Sequence, residues 1–277
     1  VTEPDLPDHA VRTVLLVPVL DERATVDVVV DLAAGCRAAG VVDDVVVVDG
    51  GSVDGTAAAF AAAGVTVLHA ARLPPGGDVL GKGDSVWRAA ATLDADRIVL
   101  VDGDVEGLDV AAVARLAAGL DDPRVHLVKG AFARRQRDGG ALRELGGRIT
   151  ELLARPLLAR FAPDLDHVTQ PLSGQQAVRT TTLRSLPVLT GYGLELGLLL
   201  AVRARHGADA VVGVELPAIT HDSKADARLV PMAHEVLAAA AWGLGLTTDS
   251  AAIDSAEGPG AGLVVRPPTA PPTDRED

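Results

Sequence analysis

Aromatic side chains are scarce in this chain: three Phe, two Trp and one Tyr make up 2% of its 277 residues. A core cannot rest on large rings and has to be assembled from Val, Leu and Ala, which the 48% hydrophobic content supplies. Cysteine is reduced to one residue, Cys36, which excludes an intramolecular disulfide and a cysteine-based zinc site. Lying in a helical stretch, it reads as a buried, inert thiol. Basic residues are in the minority, 25 Lys and Arg against 38 Asp and Glu for a net charge of −13, so the chain lacks the cationic excess of a general nucleic-acid binder. No apolar run is long enough for a transmembrane helix. Val1 to Arg12 carries Asp and Pro, with no basic start ahead of an apolar stretch, so no signal peptide is read there and a soluble, cytoplasmic protein is expected. Two phosphate-binding fingerprints are also missing. No Gly-x-Gly-x-x-Gly follows the first strand, and no Gly-x-x-x-x-Gly-Lys-Ser/Thr occurs, which disfavours a dinucleotide cofactor and a P-loop.

What is present alternates strand and helix. Apolar runs predict strands at Thr13–Val17, Asp44–Val48, Val65–Leu68, Ile98–Val101, Val125–Ala131 and Ala210–Val214. Periodic segments predict helices at Val26–Ala39, Thr56–Ala63, Ser85–Leu93, Ala111–Leu120, Gly146–Arg160, Leu194–His206 and Val230–Leu246, with a break or restart near Pro156. A β-α-β-α-β order means a mostly parallel sheet with helices on both faces, an α/β fold. Four spans are expected: an N-terminal segment at 1–12, a first half at 13–131, a second half at 132–248, and a Pro/Gly-rich disordered tail at 249–277.

Open parallel sheets bind ligands beyond the carboxyl ends of their strands. Three predicted strands deliver polar groups there: Pro18, Leu20 and Glu22 after the first, Asp49, Gly51, Ser52 and Asp54 after the second, and Asp102-Gly103-Asp104 after the fourth. Carboxylate oxygens are the hard ligands that Mg2+ and Mn2+ prefer, and a carboxylate–metal–phosphate arrangement recurs where proteins hold nucleoside diphosphates. Gly81-Lys82-Gly83 offers a cation on a flexible backbone ahead of a helix. A run of cations through Lys129, Arg134, Arg135, Arg137, Arg143, Arg148, Arg155 and Arg160 would steer an anionic substrate toward the second half.

The segments Val17-Pro-Val-Leu-Asp-Glu22, Val48-Asp-Gly-Gly-Ser-Val-Asp-Gly-Thr56, Gly81-Lys-Gly83 and Asp102-Gly-Asp104 resemble the nucleotide-sugar half of a GT-A-type glycosyltransferase. Gly146-Gly-Arg-Ile-Thr-Glu-Leu-Leu-Ala-Arg-Pro-Leu-Leu158, Gln170-Pro-Leu-Ser-Gly174 and Gly191-Tyr-Gly-Leu-Glu-Leu-Gly-Leu198 are similar to the glucosyl-3-phosphoglycerate synthases of actinobacteria and their mannosyl relatives. The resemblance implies a GT-A fold with a C-terminal acceptor-binding extension. It implies a retaining transfer of glucose from UDP-glucose to the 2-hydroxyl of 3-phosphoglycerate, dependent on Mg2+ or Mn2+, in a homodimer. Carried onto this sequence, it assigns the uridine to Pro18, Val19, Leu20 and Glu22, with Gly51, Ser52 and Lys82 completing that pocket. Asp102 and Gly103 would meet the donor, and Asp104 and His221 would be the metal ligands. Arg148, Thr150 and the position of Ser223 would hold the acceptor. Glu195 would lie near the acceptor hydroxyl, and Leu172, Ser173 and Gly174 would set backbone against the sugar.

The chain departs from the family pattern where Gly103 stands for serine, Gln175 for glutamate, and Asp222-Ser223 for Arg-Asn. A GDP-mannose donor or another anionic acceptor is the nearest alternative. A nucleotidyltransferase and a non-catalytic nucleotide-sugar-binding domain remain from other classes.

Overall fold

A computed structural model describes residues 10–104, 106–138, 141–145, 147–221, 226–246 and 263–270, with the backbone alone at 134–138, 141–145, 220–221 and 226–228. Strand β1 (Thr13–Val19) is buried along all seven residues. Val14 and Leu16 enter one core cluster while Leu15, Val17 and Val19 enter another, the two-residue alternation of a strand covered on both faces. Each such fully buried Val or Leu contributes roughly 1.5–3 kcal/mol relative to exposure. β1 continues through Pro18, where the sequence predicts a stop. Pro18 lies past Leu16, the last residue of β1 to pair with the neighbouring strand Arg97–Leu100, so its missing N–H removes no bond from that ladder.

Helix α1 (Val26–Ala38) leads to β2 (Asp44–Asp49), α2 (Thr56–Ala62) to β3 (Thr66–His69), and α3 (Lys82–Thr92) to β4 (Arg97–Leu100). Then come α4 (Val110–Ala118), β5 (Leu127–Ala131) and a hairpin of β6 (Arg134–Asp138) and β7 (Ala141–Leu145). A π-helical turn at Thr150–Ala154 runs into α5 (Arg155–Phe161), the restart at Pro156 that the sequence predicts. The chain continues through β8 (Gln176–Arg179), α6 (Thr180–Ser185), β9 (Val188–Leu189), α7 (Leu194–His206), β10 (Val211–Glu215), β11 (Ile219–His221) and α8 (Asp226–Gly243) to β12 (Val265–Arg266).

Seven strands form the central sheet in the order β10-β5-β8-β4-β1-β2-β3, all parallel except β8, which runs antiparallel to both neighbours. The chain builds outward from β1 to β3 and returns to place β4 on the other side of β1. That reversal is a topological switch point, where the loops leaving β1 and β4 diverge and open a crevice. Helices α3, α6, α7 and α8 cover one face, and α1, α2 and α4 the other. β6 and β7 form a separate small sheet with β11. No helix among the described residues is long and apolar enough to cross a membrane.

Residues 263–270 depart from the expected disordered tail. β12 pairs antiparallel with β9, and Leu263 is buried. No periodicity signals this, because a two-residue strand has none and is held by its partners.

Candidate active site

The turn after β2 is tied to the loop after β1 by side chains that accept backbone N–H groups. Asp49 Oδ1 accepts from Ser52 N at 3.0 Å, Ser52 Oγ from Asp21 N at 2.9 Å, and Asp21 Oδ1 from Val53 N at 2.8 Å. Asp54 accepts from Arg23 N at 3.0 Å and from both the backbone and the hydroxyl of Thr56, while the Thr56 hydroxyl accepts from Glu22 N at 2.9 Å. The Thr56 hydroxyl holds the Asp54 carboxyl below its ordinary range. Asp21 adopts a positive φ of 57°, a left-handed conformation that aspartate tolerates and that its two partners fix. Gly51, at φ 113°, needs to be glycine. These ties hold Val19, Leu20 and Glu22 on one rim of the crevice and Ser52 beside them. Of these residues Leu20 is exposed and Val19 buried.

Across the crevice stands a charge cluster. Lys82, the first residue of α3, places its ammonium 2.5 Å from Asp102 Oδ1 and 2.5 Å from Glu195 Oε1. Burial works to lower the Lys82 pKa, but the two carboxylates outweigh it and hold the pKa above its ordinary value, so the cation is kept at neutral pH. The sequence reading of Gly81-Lys-Gly83 as flexible is corrected here. A Cβ on Gly83 would lie 2.0 Å from Leu189 O, and one on Gly81 would lie 3.0 Å from Gly191 Cα. Both glycines are needed for close backbone packing, and Lys82 stands on a rigid helix start.

Gln175, fully buried, accepts from Asp102 N at 3.1 Å and donates to Asp102 Oδ2 at 2.9 Å. A glutamate could not make the second bond while ionised, so the amide orients Asp102 in a way the carboxylate cannot. Gly174 lies under the same carboxylate, with no room for a side chain, since its Cβ would fall 2.2 Å from Asp102 Oδ2. Gly103 is equally constrained, its Cβ position 2.7 Å from Val19 Cγ1, and its carbonyl accepts from the Thr25 hydroxyl. Serine in its place would require Val19 to move.

Lys129 is the largest departure from the sequence reading. It is not part of a basic surface: it is 1% exposed in the middle of β5 and donates to Ser173 O at 2.6 Å and Gln176 Oε1 at 2.8 Å. Burial, aided by the charge of Lys82, pushes its pKa down to about 7 against the pull of Glu195 and Asp102. A cation inside an otherwise apolar strand was the available signal. Ser173 is tied into the same network. It is 1% exposed, with its carbonyl bound by Lys129 and its hydroxyl between Gln175 N and O, while Leu172 next to it is half-buried.

On the second half, Arg148 is exposed and Thr150 is buried at the π-helical turn, and nothing described joins them to one ligand surface. His221 ends β11, its side chain not described, and Ser223 and its neighbours Asp222 and Lys224 lie outside the described residues. Gly107, at φ 99°, packs against the backbone of Ala218, so the loop carrying the half-buried Asp104 adjoins the entry to β11. Among the described residues no three His, Cys, Asp or Glu side chains form a ready-made metal cage. Asp102 and Asp104 supply hard oxygen donors, and one or two carboxylates fit a divalent ion that completes its shell from substrate phosphates. Glu235 of α8 was not foreseen either. It accepts from Tyr192 N at 2.6 Å, and burial, with Glu195 adding to it, raises its pKa.

No family model matches the chain. Curated relatives do. The glucosyl-3-phosphoglycerate synthase of Mycolicibacterium smegmatis is 39% identical over 231 residues, spanning 82% of this chain and 76% of the relative. That of Mycobacterium tuberculosis is 36% identical over 234 residues, spanning 82% and 72%. A crystal structure of the M. tuberculosis enzyme in complex with Mn2+, UDP-glucose and phosphoglyceric acid superposes with a TM-score of 0.81 at 33% identity, covering 93% of this chain and 90% of that one.

Proposed function

The chain belongs to the glucosyl-3-phosphoglycerate synthase family of glycosyltransferases, and from that membership we propose its reaction: transfer of glucose from UDP-glucose to the 2-hydroxyl of 3-phosphoglycerate, with retention at the anomeric carbon. One observation carries this reading onto particular residues. Lys82 bridges Asp102 and Glu195 at the mouth of the switch-point crevice, so a single ammonium links the donor-side and acceptor-side carboxylates.

In this reading Pro18, Val19, Leu20, Glu22, Gly51 and Ser52 wall the uridine, and Lys82 turns toward the donor. Asp102 and Gly103 set the donor's depth. Asp104 and His221 hold Mn2+, with Mg2+ as the other hard cation that suits a carboxylate. The metal, when bound, neutralises charge on the diphosphate leaving group. Glu195 orients the acceptor hydroxyl and is placed to take its proton. Arg148 meets the acceptor's phosphate, where a planar guanidinium forks onto two oxygens, and Thr150 and Ser223 complete that pocket. The Leu172 backbone faces the sugar. Residues 13–131 and 132–248 divide donor from acceptor work, and the active species is a cytoplasmic homodimer.

The test is nucleotide release with UDP-glucose or GDP-mannose as donor, each with 3-phosphoglycerate, in Mn2+, Mg2+ or EDTA. UDP release that needs both acceptor and metal is expected, with mass spectrometry showing a hexose on the acceptor. Turnover with GDP-mannose alone would move the donor assignment, and metal-independent turnover would remove the metal from the mechanism.

A further inference from the structure

We infer that Arg266, in the C-terminal segment, is a positioning residue that fixes Lys82 against Asp102 and Glu195. The inference rests on the reading of Lys82 as a donor contact and adds to it the part that holds Lys82 in place.

Asp84, two residues after Lys82, is a fully buried carboxylate. Its Oδ2 accepts from Leu80 N at 2.9 Å and lies 3.0 Å from the Arg88 guanidinium. Arg88 is itself committed to the carbonyls of Ala70, Gly77 and Asp78. Asp84 Oδ1 is met by Arg266 Nε at 2.7 Å. The Arg266 guanidinium lies 5.3 Å from the centre of the Trp87 ring, and the Trp87 indole donates to Pro267 O at 2.8 Å. Arg266 thus reaches the first turn of α3 from a strand 182 residues away.

The same segment holds the other side of the cluster. Val265 and Arg266 pair with Leu189 and Val188, Thr190 N donates to Val264 O at 3.0 Å, and Val264 N donates to Thr190 Oγ1 at 2.8 Å. Among the described residues β12 is the one ladder partner of β9. β9 is wedged between the two helices that carry the charges. Leu189 O lies against Gly83 in α3, and the Leu189 side chain lies against Gly193 and Gly197 at the start of α7. Lys82 and Glu195 sit in the first turns of those two helices, so the spacing of their 2.5 Å bridge is set through β9, and β9 is set by β12. Misplacement of a contact by about an ångström is enough to lose a large factor in rate.

The experiment is UDP binding by calorimetry at fixed Mn2+, with donor and acceptor kinetics, on K82A, R266Q, R266K, T190V and the K82A/R266Q pair. K82A is expected to weaken UDP by about 30-fold and R266Q by about 10-fold, with R266K restoring most of that loss. The double variant should be no more than about twofold weaker than K82A, because contacts acting through one group are not additive. In R266Q the donor KM should rise and the acceptor KM stay level. T190V, which leaves the ion pair intact, should show the same split more weakly, and it serves if R266Q does not fold. If K82A leaves UDP affinity unchanged, the reading of Lys82 as a donor contact is what fails. If K82A weakens UDP while T190V and R266Q do not, or if the losses of K82A and R266Q multiply, Arg266 serves stability alone and the inference is overturned.

Discussion

Two groups of carboxylates line the carboxyl edge of this sheet, and they are tied in opposite ways. Asp21, Asp49 and Asp54 are bound by backbone N–H groups, Asp49 by one in its own turn, Asp21 by one in the facing loop and Asp54 by one in each. Asp102 and Glu195 share the ammonium of one lysine. A carboxylate bound by backbone amides cannot leave without opening its loop, so it belongs to the scaffold. A carboxylate bound by a lysine can exchange that partner for a metal or a hydroxyl by a side-chain movement, which frees the ammonium for a phosphate. In sequence Asp49, Asp54 and Asp102 look alike, each an acidic residue at or just after the end of an apolar strand with glycine beside it. The partner, not the residue type, separates structure from chemistry.

The comparison is sharpened most by Asp104, which the proposed function adds to the exchangeable group as a metal ligand. D104A should lose metal-dependent transfer by roughly 100-fold or more in kcat, the scale at which a charge stabiliser of the transition state acts, with the melting temperature little changed. Steady-state assays across a Mn2+ titration check this, and retained turnover would sink the metal assignment. The next effect lies on the acceptor side. R148A should raise the 3-phosphoglycerate KM by about 10-fold, as expected for one lost charge-assisted contact, and leave the UDP-glucose KM within a factor of two. Equal rises in both would remove Arg148 from the acceptor pocket.

A smaller effect separates the two lysines by pH. Lys129 titrates near 7 in the folded protein against an ordinary value near 10.5, so between those limits the unfolded chain binds the extra proton. Stability from this site therefore rises with pH through that window, and its burial penalty is complete below about 7. Lys82 is shifted the other way, so its contribution is in place at neutral pH and is lost only as pH rises above its ordinary value. Denaturant melts from pH 6 to pH 9.5 should show a shallower pH slope in K129M than in the wild type; parallel curves would contradict the assignment. Smallest is the acid limb of Asp54. Its lowered pKa means its contribution is present above the ordinary carboxylate range and fades as pH falls through the folded value. D54A should lose that part of the acid dependence in melts below pH 5.

Much of this was legible in the sequence, for physical reasons that can be named. β1, β2 and β4 announce themselves because a strand buried on both faces must be apolar throughout, and Asp102-Gly103-Asp104 stands out as the polar end of such a run. β8, β9 and β12 are four, two and two residues long, stabilised by neighbours and not by pattern. The Lys82–Glu195 contact joins residues 113 apart, which no local spacing reveals. Gly81 and Gly83 were visible as glycines, but the reason for them, close contact with Leu189 and Gly191, exists only in the fold. Lys129 was visible as a cation, and its strand was predicted, yet the two facts point to a buried lysine only when read together. Gln175 was seen as the loss of a charge, whereas in the fold it is the group that orients Asp102.

The division between scaffold and exchangeable carboxylates is tested most directly by D102N and D54A measured side by side, each for UDP-glucose kcat/KM and for melting temperature. D102N should lose about 30-fold or more in kcat/KM with its melting temperature within about 2 °C of wild type. D54A should lose a few degrees, the scale of a broken helix-start bond in a chain of this size, with kcat within about twofold. The reverse pattern, an active D102N that melts early beside a stable D54A that is inactive, would contradict the division.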